Sequence, residues 1–235
     1  MSEKSPQTTP QFYIFECSNS TCRLRFPFHQ LLGQNNVVET IACPICKATA
    51  QRVSAFNPPV DEPKASQLIN LAAQQQRPIE LLIDNVRSLF NVGSIFRTAD
   101  ATGVQHIHLC GITPTPDHPK LAKTALGAEQ AIPWTYHKNG LEAVTQLKEI
   151  GYKIWGLEES VNSQDLYQGK HEGTPSPIVL MVGNELSGID PELLSLCDAI
   201  YHLPMNGTKR SLNVAVAFGA AIYHIQFGLA QLGPQ

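Results

Sequence analysis

No hydrophobic run in the sequence is long enough to cross a bilayer. The longest apolar stretch, residues 214–225, includes His224, and a spanning helix needs about 20 apolar residues. The opening residues, MSEKSPQTTPQ, lack the apolar core of a secretory signal. A soluble cytoplasmic protein with no membrane partner is the expectation. Charge is sparse as well, at 16% of residues, against about 25% in an average domain. The net charge of −3, from 17 basic and 20 acidic residues, does not carry the basic footprint usual in nucleic-acid binders. The balance is uneven, however. Residues 1–60 hold five basic and three acidic residues, and the remainder twelve and seventeen.

Several catalytic signatures are missing. There is no G-x-G, which removes the dinucleotide fingerprint and the glycine-rich loop of the common Rossmann-type methyltransferases. Gly183 and Gly188 have Walker-A spacing, but Ile189 and Asp190 stand where that loop needs Lys and Ser or Thr. Neither G-x-S-x-G nor H-E-x-x-H occurs. What the chain has is apolar side chain, 43% of 235 residues. That suffices for a sizeable core in one large domain, or a moderate one with an appendage.

Four of the six cysteines crowd into thirty residues: Cys17, Cys22, Cys43 and Cys46. Their C-x4-C and C-P-x-C pairs can converge on one tetrahedral ion. Two disulfides or four free thiols are the alternatives, and a cytosolic compartment disfavours the former. A structural Zn is the reading taken, with iron in a rubredoxin-like site as a minor alternative. Four ligands would leave no open position, so the metal would hold a fold too small to hold itself. Cys110 and Cys197 read as core residues. The eight histidines show no ligand spacing and read as surface or core residues.

The organisation follows. Residues 1–56 read as a small four-cysteine domain with strands near 11–17 and 24–28. Residues 57–76, starting NPPVDEPK, read as a linker and a short helix over 65–76. Residues 77–235 alternate strands and helices. Strands are expected at 79–83, 107–110, 132–136, 153–157, 178–182 and 199–203. Helices are expected at 91–102, 141–150, 191–197 and 212–229. This alternation predicts an α/β domain with a largely parallel sheet.

Three segments place polar and glycine residues inside apolar elements. They are Asn91-Val-Gly-Ser-Ile-Phe-Arg97-Thr-Ala-Asp-Ala-Thr-Gly103, then Met181-Val-Gly-Asn-Glu-Leu-Ser-Gly188, then Leu203-Pro-Met-Asn-Gly-Thr-Lys-Arg-Ser-Leu-Asn213. All three fall at or near strand ends, where α/β sheets place ligands. In order and spacing they resemble the three motifs of the SpoU/TrmH-type RNA 2′-O-ribose methyltransferases of the SPOUT class. The likeness runs from about Ile79 to the C-terminus. The KTALGAE segment at 123–129 is similar to an intermediate segment of the family but departs from its usual S-x-G-A.

The resemblance implies a SPOUT-type knotted, largely parallel sheet flanked by helices, beside the small zinc-ribbon-like N-terminal domain. It implies S-adenosylmethionine held in loops at Leu180–Gly183, Ile200–Met205 and Ser211–Leu212. Leu180, Gly183, Ile200, Leu203, Met205, Ser211 and Leu212 are the candidate cofactor residues. It also implies a homodimer whose sites draw on both chains, and transfer of a methyl group to a ribose 2′-hydroxyl of tRNA or rRNA. The N-terminal segment is a departure that reads as an RNA-binding extension.

Arg97 matches the family's catalytic arginine; a helix salt bridge with Asp100 is the competing account. A guanidinium is a poor base, so clamping a phosphate and polarising the 2′-OH is the preferred role. Asn91 is a helix cap, a substrate-orienting amide, or both. Glu185, between Gly183 and Gly188, reads as a site residue over a surface charge. Ser211 and Asn213 either cap the last helix or line the site. Lys209 and Arg210 touch RNA phosphates or are merely solvated. Two other functions stay open: a non-catalytic RNA-binding protein that retains the fold, and a SPOUT base methyltransferase.

Overall fold

The computed structural model describes residues 11–30, 38–56, 78–168 and 176–228. The linker and the helix expected over 65–76 lie outside them. The chain divides into two compact units, Met1–Ala65 and Ser66–Gln235.

The first unit is a four-stranded antiparallel sheet. Its strands are β1 (Gln11–Cys17), β2 (Arg25–Gln30), β3 (Thr40–Ala42) and β4 (Thr49–Phe56), in the order β2-β1-β4-β3. Alternation along β1 buries Tyr13, Phe15 and Cys17 on one face. Phe15 packs on the rings of Phe26 and Phe28, with centroids 6.2 and 5.7 Å away. Strands β3 and β4 were not anticipated. Arg52 breaks the apolar pattern of β4, yet its guanidinium lies 5.3 Å from the Tyr13 ring centroid and pairs with Glu39 at 2.7 Å.

The second unit is a seven-stranded sheet, parallel at every described pairing. Its strands are β5 (Ile79–Asp84), β6 (Ile107–Cys110), β7 (Trp134–His137), β8 (Lys153–Leu157), β9 (Gln164–Asp165), β10 (Ile178–Val182) and β11 (Ala199–His202), in the order β7-β6-β5-β10-β8-β11-β9. Strands β6 and β10 are buried at every residue, because helices cover both faces. On one face α1 (Leu89–Thr102) and α6 (Val214–Tyr223) pack Phe96, Phe218 and Ile222 against Leu81, Ile83 and Ile107. On the other, α4 (Gly140–Glu149) and α5 (Pro191–Ser195) pack Val144, Leu147 and Leu193 against Leu82, Ile154 and Met181. Two single-turn helices, α2 (Ala122–Ala125) and α3 (Ala128–Ala131), precede β7.

Element ends follow local chemistry. The last helix begins at Val214 and not at 212, because the Asn213 side chain accepts from the N–H groups of Ala215 and Val216. It ends in a π-helical turn, His224–Gly228. Asp190 caps α5 with Pro191 in its first turn. The strand expected at 132–136 starts at Trp134, after Pro133, which has no N–H to give the ladder. Among the described helices, none is long and apolar enough to cross a membrane.

Three of the eight histidines, His106, His108 and His137, meet in the fold. The rings of His106 and His108 lie 4.6 Å apart, and those of His108 and His137 lie 5.2 Å apart. His108 Nε2 bonds Glu80 Oε2 at 2.8 Å and its Nδ1 bonds His137 Nε2 at 3.0 Å. The Tyr152 hydroxyl donates to Glu80 Oε1 at 2.6 Å. Burial first, then the neighbouring His108, holds His106 and His137 below the ordinary value of 6.5. Burial would raise Glu80, but the bonds from His108 and Tyr152 outweigh it and hold Glu80 low.

Lowered histidine pKa values mean that the unfolded chain takes up protons first as pH falls. The stability contributed by His106 and His137 is present above 6.5 and is lost below it. Glu80 adds a further loss below 4.5. Urea midpoints are therefore expected to fall between pH 7.5 and 5, and to fall less steeply in His137→Gln. Stability that rises on acidification would refute this.

Candidate active site

The site starts at the N-terminus of α1. Ser88, in extended conformation, caps this helix by accepting from the Asn91 N–H at 3.3 Å. Asn91, expected as the cap, lies instead in the first turn. The cap three residues earlier leaves the Asn91 carboxamide free for other partners. Glu185 supplies one: its Oε2 accepts from the Arg87 N–H at 3.1 Å, and its Oε1 from the Ser88 N–H and from Asn91 Nδ2, each at 3.0 Å. The carboxylate thus sits where a helix leaves N–H groups unpaired and favours negative charge. Burial works against its ionisation, but the N–H of Arg87, with that of Ser88 and the Asn91 amide, holds its pKa below the ordinary value.

Asn91 Oδ1 in turn accepts from Asn213 Nδ2 at 2.9 Å. One hydrogen-bonded chain, Glu185–Asn91–Asn213, therefore joins all three motifs across 122 residues of sequence. Asn213 also caps α6, so its two readings are compatible.

Glu185 reaches α1 because the turn that carries it is tight. Asn184 and Gly188 exchange two backbone bonds of 3.0 Å, and Asn184 Oδ1 accepts from the N–H groups of Leu186 and Ser187. Asn184 Nδ2 donates to the Asn85 carbonyl at 2.6 Å, pinning the turn to the end of β5. A Cβ on Gly183 would lie 2.3 Å from the Ile189 nitrogen, so no larger residue fits. Asp84, its pKa raised by burial against the opposing bond from the Asp190 N–H, accepts that bond at 3.1 Å and closes the far side of the loop.

Beside this turn opens a cavity of about 730 Å³, within the usual range for small-molecule sites, roughly 300–1,000 Å³. It lies at the C-terminal ends of β8, β10 and β11, where open α/β sheets bind ligands. Gly183, Leu203, Met205, Ser211 and Leu212 line it, as do Glu185, Arg210 and Asn213. Leu180 and Ile200 do not; they sit within β10 and β11 behind the wall. The wall formed by Leu157–Val161 was not anticipated. It follows the least conspicuous strand end in the sequence and carries no glycine motif. The Ser160 hydroxyl there is buried without a partner.

Arg97 and Asn91 do not line the cavity. Arg97 is exposed on α1, about 9 Å along the axis from Asn91 at 1.5 Å per residue. Among the described residues no ion pair includes it, so the competing bridge to Asp100 is not formed.

In the first unit, the ligand atoms of Cys17, Cys22, Cys43 and Cys46 all lie within 4.8 Å of one another. Cys17 and Cys46 are 3.4 Å apart, and Cys22 and Cys43 3.8 Å. A Zn–S tetrahedron with bonds of 2.3 Å has edges of about 3.8 Å, so the set fits such an ion. Arg23 and Lys47, each following the second cysteine of a pair, have φ of 44° and 63°. The N–H groups of Cys46 and then Ile45 draw the Cys43 thiol down to about 7.

The sequence profile of the SpoU rRNA Methylase family matches residues 78–223. A tRNA (guanosine(18)-2′-O)-methyltransferase of Aquifex aeolicus is 31% identical over 172 residues, covering 70% of this chain and 76% of that protein. A 23S rRNA (guanosine(2553)-2′-O)-methyltransferase of Bacillus subtilis is 34% identical over 148 residues, covering 62% and 57%. Among solved structures, an AdoMet-bound rRNA methyltransferase from Sinorhizobium meliloti superposes with a TM-score of 0.59 at 25% identity, covering 76% of this chain and 63% of that one. Residues 78–223 hold the parallel sheet and the hydrogen-bonded chain of motifs. By fold, motif and profile alike, this chain belongs to the SpoU rRNA methylase family.

Proposed function

We infer that the protein is an S-adenosylmethionine-dependent RNA 2′-O-ribose methyltransferase acting on tRNA or rRNA. The observation that carries this is the Glu185–Asn91–Asn213 chain, which locks three motifs around one cavity. The relatives named above methylate ribose in these two RNA classes. Recombinant protein should transfer tritiated methyl to the 2′-oxygen of unmodified bulk tRNA or rRNA. Label in a base, or none in any RNA, would overturn the reading.

The cavity residues fit the cofactor. Leu203, Met205 and Leu212 offer apolar surface, and the buried Ser160 hydroxyl without a partner marks a polar wall. When bound, S-adenosylmethionine supplies an electrophilic methyl on sulfur. The chain's part is alignment and proton handling, since proximity supplies much of the barrier reduction in a displacement. Glu185 and Asn91 position α1, and Ser211 and Asn213 stand at the cavity mouth to orient the ribose. Arg97 clamps a phosphate and polarises the 2′-OH; the hydroxyl proton leaves to solvent as the oxygen–methyl bond forms. Arg210, on the cavity rim, contacts RNA phosphate.

The reading includes a homodimer. Arg97 stands outside the cavity of its own chain, so a second copy must bring it to the reacting oxygen. Helix α6 and the π-helical turn that follows show Val216, Tyr223 and Phe227 to solvent, 56%, 50% and 40% exposed. These form an outward stripe at helical spacing, opposite the buried Phe218 and Ile222. Sedimentation should give twice the 25.8 kDa chain mass, and Val216→Glu should give monomer.

The trefoil knot implied by the motif resemblance is part of this reading. We also propose the division into a zinc-ribbon-like RNA-binding module over 1–56, a linker over 57–76 and the catalytic domain over 77–235, working in the cytoplasm. The cysteine geometry supports a metal-stapled fold for the first part, with Zn as its structural ion.

A further inference from the structure

Three glutamates line the cavity, Glu158, Glu159 and Glu185; Glu159 is exposed, and Glu158 is held fixed without serving the chemistry above. Glu158 directly follows β8 and lines the cavity. Its Oε2 accepts from the Ile189 N–H at 3.0 Å and its Oε1 from the Glu159 N–H at 3.1 Å. Two backbone donors thus fix both oxygens. No described cation pairs with the group. Its neighbour is cut to fit it: Gly188 has φ +74°, and a Cβ there would lie 2.4 Å from Glu158 Oε2. A solvated loop charge does not require such a fit.

A carboxylate has about four acceptor positions. Two are taken by the backbone, and two stay open on an acceptor-only group held at a cavity wall. Glu185, the other acidic side chain fixed at this cavity, is consumed by the N-terminus of α1. Glu158 is therefore the fixed acceptor left for a ligand, and the matching chemistry is a pair of hydroxyl donors. Dinucleotide-binding sheets solve the same problem with an acidic residue beyond a strand end, which bonds the ribose hydroxyls. This chain lacks their glycine fingerprint but has the carboxylate in an equivalent chemical position.

We propose that Glu158 binds the cis-diol of the adenosine ribose of S-adenosylmethionine and sets the preference for a ribonucleoside cofactor. This rests on the functional reading above. It also gives the Leu157–Val161 wall a purpose.

Calorimetry of the full chain with S-adenosylhomocysteine and its 2′-deoxy and 3′-deoxy analogues tests it. Wild type should bind each deoxy analogue about tenfold more weakly, the size expected for a lost hydrogen bond to a charged group. Glu158→Gln should bind S-adenosylhomocysteine more weakly by a similar factor and lose little more with the deoxy analogues. Equal binding of all three ligands by wild type overturns the proposal without recourse to a variant. Additive losses in Glu158→Gln overturn it too, and leave Glu158 as a prop for the Gly188 turn. No binding of S-adenosylhomocysteine by wild type overturns it together with the functional reading.

Discussion

Arg97→Ala should abolish methyl transfer to RNA while leaving the fold and cofactor affinity almost unchanged. The side chain is exposed and, among the described residues, has no ion-pair partner, so its removal breaks no described contact and opens no cavity in the core. It stands outside the cofactor cavity, so the ground-state complex with S-adenosylhomocysteine does not involve it within the same chain. An interaction needed mainly in the transition state lowers the rate without changing cofactor binding. The expected loss is about 100-fold or more, the scale seen when a preorganised charge-stabilising donor is removed. Arg97→Lys keeps the charge but not the planar fork that grips a phosphate, and should rescue little. Tritiated-methyl incorporation, thermal melts and calorimetry on the three proteins decide it. Incorporation by Arg97→Ala at the wild-type rate would remove Arg97 from the mechanism, and full rescue by Lys would reduce it to a point charge.

Replacing Cys43 and Cys46 by Ser should unfold the N-terminal unit. Its buried core is Tyr13, Phe15, Cys17, Cys43 and Ala50. Two of those five are ligands, so hydrophobic burial alone is too slight to hold four strands together. Structural Zn contributes about 10–16 kcal/mol in comparable small sites at neutral pH, far more than this core supplies. Metal analysis of wild type should give one zinc per chain and the double variant none. Amide exchange over β1 and β4 should become fast in the variant. The cofactor cavity belongs to the other unit, so S-adenosylhomocysteine affinity should stay within about threefold, as for independent sites. RNA affinity should fall if this unit binds RNA. Wild-type protein free of both zinc and iron, prepared without chelator, would refute the metal assignment.

The sequence by itself determined the alternation that makes the sheet parallel. Strands such as 107–110, 153–157 and 178–182 were legible to the residue, because a strand buried on both faces is a short run of mostly apolar residues; 178–182 is apolar throughout, while 107–110 and 153–157 each carry one polar residue, His108 and Lys153. The four cysteines were legible as a set, since two close pairs within thirty residues form a ligand pattern, though it is the fold that brings Cys17 to Cys46 and Cys22 to Cys43. The motifs told which residues belong together. They did not tell how. Ser88 caps α1 through a contact only three residues long, but that Glu185 spends its carboxylate on that helix and that Asn91 bridges to Asn213 depend on contacts spanning 94 and 122 residues. No local propensity encodes a partner that distant. The histidine cluster was hidden for the same reason, because His108 and His137 belong to different strands and meet only through the register of β6 with β7. Glu158 was invisible as well. Its meaning comes from Gly188 and Ile189 folding back over it, and only the closed turn of the tertiary structure turns an ordinary loop glutamate into an oriented acceptor on a cavity wall.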